Sequence, residues 1–183
     1  FAVKPIQVEL INNLLWEKIV CVSKSVAGDC FNKGADVSKL TTNYLGVDIQ
    51  EFSPQGDRSW LKNQLGLGQD QQVMLGASRI VVGTKEILKE KGLIILIEAF
   101  SKVSLRFNNL RFVLALGKPP LFLNNEFIQA LEKLKGFIKL SGVEDKVMCQ
   151  SFTLEQMPQV YRGADVFALP SENETLGQVY IEA

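Results

Sequence analysis

From residue 72 onward the chain alternates short apolar runs with longer stretches in which apolar residues recur every three or four positions. The runs at 73–75 (extending to about 80), 110–116, 147–152 and 165–169 have the length of buried strands. The stretches between them have the period of helices that face a core. Strands joined through helices pair in parallel, with right-handed crossovers. Four such units predict an α/β fold, a parallel sheet with helices on both faces. No G-x-G-x-x-G follows the first run, which argues against a dinucleotide site of the usual kind.

Leu93, Ile94, Leu96, Ile97, Phe100 and Val103 give the first of these helices an almost wholly apolar face. Asn124 or Asn125 is placed to cap a second, which runs through Phe127, Leu131, Leu134 and Ile138 to Gly142. Thr153 with Gln156 forms a capping box for a third that ends near Gly163. Residues 117–121 make a loop at the carboxyl end of the second strand, the edge where open α/β sheets bind ligands. Upstream, Val8, Leu10, Ile11, Leu14 and Leu15 predict an amphipathic helix over 8–17, followed by a buried strand at 18–22. Ser23 is the expected N-cap of a helix that closes at Gly34. Residues 39–45 alternate as a strand does, and a short helix through Trp60, Leu61 and Leu65 is expected to end at Gly66.

Composition narrows the chemistry. A chain of 183 residues, 46% hydrophobic and 22% charged, suits a soluble globular protein with one substantial core or slightly more. Lys and Arg number 20, as do Asp and Glu, so no basic excess is offered to nucleic acid. Histidine is absent, so the chain can build neither a Ser-His-Asp nor a Cys-His arrangement, and zinc loses its commonest ligand. Catalysis must then rest on carboxylates, cations and backbone dipoles. Cys21, Cys30 and Cys149 are odd in number and set among apolar residues, as reduced core thiols are. There is no apolar run of membrane-spanning length and no secretory pattern at the N-terminus. A start at Phe1 and a stop at Ala183 inside an incipient helix are what a fragment would show.

The last fifteen residues outline a site. A strand end turns at Pro170-Ser171 and presents Glu172, Asn173 and Glu174; a helix is then expected from about Thr175 or Leu176, with Glu182 two turns in. Free N–H groups and the positive end of the dipole at a helix start suit a phosphate, and Gly177 would let it approach the backbone. Glu174 and Glu182 could reach hydroxyls flanking a diphosphate. An ordinary helix start with solvated acids fits the same two glutamates.

Residues 171–182 resemble the E-x7-E element of retaining glycosyltransferases of family 4, also termed glycosyl transferases group 1, with Glu174 and Glu182 as its glutamates. Thr175-Leu176-Gly177 stand where the commonest form has Gly-Phe-Gly. Three further elements follow the same order: the Val22-Ser23 strand end, the crossing Gly46-Val47-Asp48 to Phe52-Ser53-Pro54 with Leu45 in place of an asparagine, and Arg79 with Lys91-Gly92. The resemblance implies the GT-B fold, two Rossmann-like domains. Residues 1–46 would be the remnant of the acceptor domain, 47–70 the interdomain linker and helix, and 71–183 most of the nucleotide-sugar-binding domain.

The function implied is retaining transfer of a hexosyl group from a UDP- or GDP-linked sugar to a glycan or lipid-linked acceptor, as in polysaccharide biosynthesis. Arg79 and Lys91 would stabilise the departing diphosphate, and Glu174 would bind a sugar hydroxyl. Glu182 would take the ribose hydroxyls, the backbone at Thr175, Leu176 and Gly177 the phosphates, and Phe152 and Thr153 the base, with Gly117 lining the donor site. The nucleotide sugar is the co-substrate, and neither a metal nor another cofactor is required. The leaving phosphate oxygen would help deprotonate the acceptor, so no protein nucleophile is needed. The expected location is cytoplasmic, with any peripheral attachment to the inner face of a membrane supplied by segments outside this chain. Twelve positions separate Arg79 from Lys91, more than the family usually has, so either an insertion loops out or Lys85 serves in place of Lys91. A non-catalytic nucleotide-binding module and an unrelated doubly wound domain stay open as alternatives.

Overall fold

The computed structural model describes residues 4–80, 86–172 and 174–183. The chain divides into two compact units. One takes the chain as far as Val47 together with the segment that ends at Ile181, and the other comprises Asp48–Glu172 with Glu182–Ala183.

In the first unit, helix α1 (Pro5–Asn13) leads to strand β1 (Ile19–Cys21), helix α2 (Lys24–Asn32) and strand β2 (Leu40–Thr42). The two strands pair in parallel, with Ile19 opposite Leu40 and Cys21 opposite Thr42. Val8, Ile11, Cys21, Cys30 and Ala35 form the core. Ser23 caps α2, its hydroxyl accepting from the Val26 N–H at 3.2 Å. Helix α1 departs from the 8–17 expectation at both ends. Proline at its first position needs no N–H partner there, and the Gln7 side chain accepts from the Lys4 N–H at 2.7 Å, so the helix starts at Pro5. It stops at Asn13 because the Lys39 ammonium donates to the carbonyls of Ile11, Asn12 and Leu14, leaving Leu14 and Leu15 outside. Strand β2 is shorter than expected at both ends: Asp36, accepting from the Ser38 N–H at 2.9 Å, starts a 3-10 turn that takes Lys39, and the pairing with β1 stops at Thr42.

The second unit begins at the crossing segment. The Asp48 carboxylate accepts from the Gln50 and Glu51 N–H groups at 2.8 and 3.3 Å, which folds the chain back on itself. Helix α3 (Trp60–Leu65) follows, and Leu61 is fully buried. Four strands then form one wholly parallel sheet: β3 (Gln72–Ser78), β4 (Leu110–Leu116), β5 (Val147–Gln150) and β6 (Val166–Phe167), in the order β5-β4-β3-β6. Between them lie the short α4 (Ile87–Glu90), α5 (Leu93–Ser104), α6 (Asn124–Leu140) and α7 (Met157–Arg162).

The central strands carry consecutive apolar residues because both faces are covered, and Val73, Leu75, Phe112, Val113 and Leu114 have no exposure. From α5, Leu93, Ile97 and Phe100 close one face, with the Phe100 and Phe112 rings 5.3 Å apart. Strand β6 is tied to the start of β3 by Asp165, whose carboxylate accepts from the Val73 N–H at 2.8 Å. Asn124 proves to be the first residue of α6 rather than its cap; Leu123 occupies the cap position and gives no side-chain bond. The Thr153–Gln156 box forms, but it starts a 3-10 turn that leads into α7. Glycines past helix ends, Gly34, Gly66 and Gly142, have φ of 90, 65 and 66° as helix stops require.

All three cysteines are free, and Cys21 and Cys30 are buried. Cys149 lies on β5 opposite Leu114, and burial pushes its thiol from the ordinary 9.0 up to about 11. Burial, and the neighbouring Glu182 carboxylate, raise the phenol of Tyr161 as well. Both groups fold in their neutral forms, so their contribution is complete below about pH 9 and is lost as pH rises. The urea midpoint should hold steady up to about pH 9 and decline from there through about 11. In Cys149→Ala the early part of that decline should be shallower, the remainder coming from Cys30, whose thiol burial also raises.

Candidate functional site

The connection after β3 and the connection after β6 meet at one point. Gly92 sits between α4 and α5 with φ of 66°, a left-handed conformation that costs a residue with a Cβ about 1–2 kcal/mol. Position 92 also has no room, since a Cβ there would overlap the carbonyl of Pro170 and come within 2.9 Å of its Cγ. Next to it, the Glu172 N–H donates to the Glu90 carbonyl at 2.9 Å. The loop that opens the acidic stretch is therefore seated on the turn that carries Lys91.

The place is significant in the sheet. From β3 the chain passes to β4 on one side, whereas β6 lies on the other, so the strand order reverses between β3 and β6. Ligands of open parallel sheets bind outside the carboxyl ends of the strands at such a reversal. Arg79 follows the carboxyl end of β3 and is exposed, and among the described residues no carboxylate pairs with it. Its stem lies against Gly117 at the end of β4: a Cβ on Gly117 would stand 2.8 Å from the Arg79 Cγ, and the Gly117 N–H donates to the Ser78 carbonyl at 3.0 Å. Ser171 follows β6, with its hydroxyl oxygen buried and unpartnered among the described residues. Arg79, Gly117, Lys91 and the Pro170 loop thus gather at the carboxyl edge around the reversal.

The interval between Arg79 and Lys91 is partly filled by α4, so it is not wholly an extended loop. Lys85, the alternative cation, lies outside the described residues. Phe152 follows β5 and is half-buried, its ring 6.4 Å from that of Trp60. Thr153 is exposed, and its N–H donates to the Gln156 side chain at 2.9 Å, so its capping role is already in use.

The acidic stretch differs from its sequence outline. Thr175 and Leu176 form a bend, and helix α8 (Gln178–Glu182) starts only after Gly177, whose φ is 72°. A left-handed residue cannot continue a helix, so the start shifts and Glu182 comes about one turn in instead of two. Glu174, Thr175 and Leu176 are half-buried, Gly177 is buried, and the Gln178 side chain donates to the Gly46 carbonyl at 3.1 Å. This segment belongs to the first unit, and Glu182 to the second, with Arg79, Lys91, Gly117, Phe152 and Thr153. Glu182 is half-buried and accepts from the Tyr161 hydroxyl through Oε2 at 3.0 Å. Sequence reading missed Tyr161; an aromatic four residues before Asp165, at the end of an apolar helix, was the available signal. It also missed Pro170 as the partner of Gly92. No helix among the described residues is long and apolar enough to cross a membrane, and no His, Cys, Asp and Glu group of metal-binding size occurs among them.

The family described as Glycosyl transferases group 1 matches residues 69–183. The chain belongs to that family. Over 141 residues it is 31% identical to mannosylfructose-phosphate synthase of Agrobacterium fabrum, covering 75% of this chain and 29% of that protein. Over 156 residues it is 33% identical to the D-inositol 3-phosphate glycosyltransferase of Actinosynnema mirum, covering 81% and 34%. The chain thus spans about a third of the length of these curated relatives. Its fold is that of the GT-B glycosyltransferases: Anabaena HepE, solved in complex with UDP and glucose, superposes with a TM-score of 0.79 at 23% identity, over 97% of this chain and 44% of that one. WaaG, a glycosyltransferase involved in lipopolysaccharide biosynthesis, gives 0.72 at 20% identity with the same coverages.

In this member of the group 1 family, Gly92→Ala should cost at least about 2 kcal/mol, because the left-handed strain adds to displacement of the Pro170 carbonyl. Gly136→Ala is the control. It lies inside α6 with open space around it and should be neutral or stabilise by up to about 1 kcal/mol. Urea unfolding of both variants checks the difference, and a Gly92→Ala protein as stable as wild type would remove the constraint.

Proposed function

We propose that the chain is the donor-binding part of a retaining glycosyltransferase that moves a hexosyl group from a UDP- or GDP-linked sugar to a glycan or lipid-linked acceptor, as in polysaccharide biosynthesis. The observation that carries this reading is the seating of the Pro170–Glu172 loop on the Lys91-Gly92 turn, beside Arg79, at the reversal of the sheet. Family membership and structural neighbours solved with UDP, UDP and glucose, or UDP-glucose support it.

In this reading Arg79 and Lys91 face the diphosphate. As the glycosidic bond breaks, negative charge collects on the leaving phosphate, and fixed cations in a partly dry site stabilise that charge without reorganising. Glu174 binds a hydroxyl of the sugar, and Glu182 accepts from the ribose. Backbone N–H groups at Thr175, Leu176 and Gly177 meet the phosphates, Gly117 leaves room beside Arg79, and the base lies along Phe152 and Thr153. The departing phosphate oxygen takes the proton of the acceptor hydroxyl on the same face of the sugar, which retains configuration with no protein nucleophile and no metal. We place the protein in the cytoplasm, where nucleotide sugars are at hand.

Calorimetric titration of the full-length protein with UDP, GDP and ADP tests the reading. One nucleotide should bind, and Glu182→Ala and Arg79→Ala should each weaken it by more than about tenfold, roughly 1.4 kcal/mol. A folded protein that binds none of the three would overturn the transferase reading.

A further inference from the structure

Tyr161 is 7% exposed, and its ring lies 6.0 Å from that of Phe52 and 5.7 Å from that of Phe167, the latter edge-on. A phenol so enclosed must find an acceptor for its O–H, and this one finds the carboxylate of Glu182 at 3.0 Å. The ring itself is anchored from the crossing segment. The next residue, Arg162, donates from its guanidinium to the Ser53 carbonyl at 2.9 Å and the Glu51 carbonyl at 3.3 Å, clamping the turn that carries Phe52. Glu182, by contrast, lies on α8, none of whose described residues is buried, and among the described residues the Tyr161 hydroxyl is the group that hydrogen-bonds its side chain.

We infer that Tyr161 is a positioning residue for the donor nucleotide: its hydroxyl holds Oε2 of Glu182, which orders the carboxylate and presents Oε1 to the ribose hydroxyls. The inference rests on the assignment of Glu182 to the ribose. A glutamate left to rotate would lose side-chain entropy on binding, whereas one ordered beforehand has already lost it, so the gain appears as affinity. Burial and the adjacent carboxylate keep the phenol protonated well above neutrality, so it donates throughout the physiological range.

Tyr161→Phe in the full-length protein separates positioning from packing, because the ring and its neighbours remain. The ligands are UDP and its dideoxyribose analogue, which lacks both ribose hydroxyls. The variant should bind UDP about tenfold more weakly and the analogue within about twofold of wild type, since only UDP uses Glu182. Glu182→Ala should show the same selective loss, and the double variant should be no weaker than Glu182→Ala alone. Unchanged binding of UDP by Tyr161→Phe, or equal weakening of both ligands, would overturn the inference while leaving the donor site intact. Equal binding of UDP and the analogue by wild type would overturn the ribose assignment and the inference with it.

Discussion

The approach of the Pro170 carbonyl to Gly92 is the constraint on which the arrangement of the larger unit depends. It brings together two connections that lie about eighty residues apart in the chain. Only a residue without a Cβ, able to hold a positive φ, permits the contact, and the Glu172–Glu90 bond locks it in register. The sheet does the rest: because β3 and β6 are parallel neighbours, the loops leaving both emerge at the same edge. A packing condition at one glycine therefore decides where a cationic turn and an acidic loop stand relative to the strand ends.

The chemistry available there follows from what the chain lacks as much as from what it holds. These residues include no histidine; the positive charge they place at the edge is that of the exposed Arg79 and the helix-junction Lys91. Such a set suits a reaction in which the leaving group, a diphosphate, gathers charge and can itself act as base. In the proposed transfer, carboxylates complete the set by binding hydroxyls, a task that asks for firm placement more than for a shifted proton affinity. The Tyr161–Glu182 bond supplies such placement for one of them.

Much of this was legible in the sequence, and the reasons differ by element. Strand β4 was read to the residue because seven consecutive apolar side chains, Arg111 excepted, suit nothing but a strand covered on both faces. The Ser23 and Thr153 caps were legible because a cap is a local matter of one hydroxyl and a few N–H groups. The misplaced ends have one distant cause and one local one. Lys39 ends α1 from twenty-five residues away, and the left-handed Gly177 delays α8 beyond Leu176. Arg79, Lys91 and Gly117 were named from motif and strand-end position, and the structure brings them to one edge. Tyr161, and the seating of Pro170 on Gly92, escape the sequence because each matters only through a contact that sequence separation conceals.

Hydrogen–deuterium exchange of the full-length protein with and without UDP tests most directly that the donor diphosphate sits at this edge. Slowed exchange should appear at the amides of residues 78–80, 91–93, 117–118 and 171–172. Slowing confined to the opposite edge, around the ends of α5 and α6 near Ser104 and Ser141, would contradict the account.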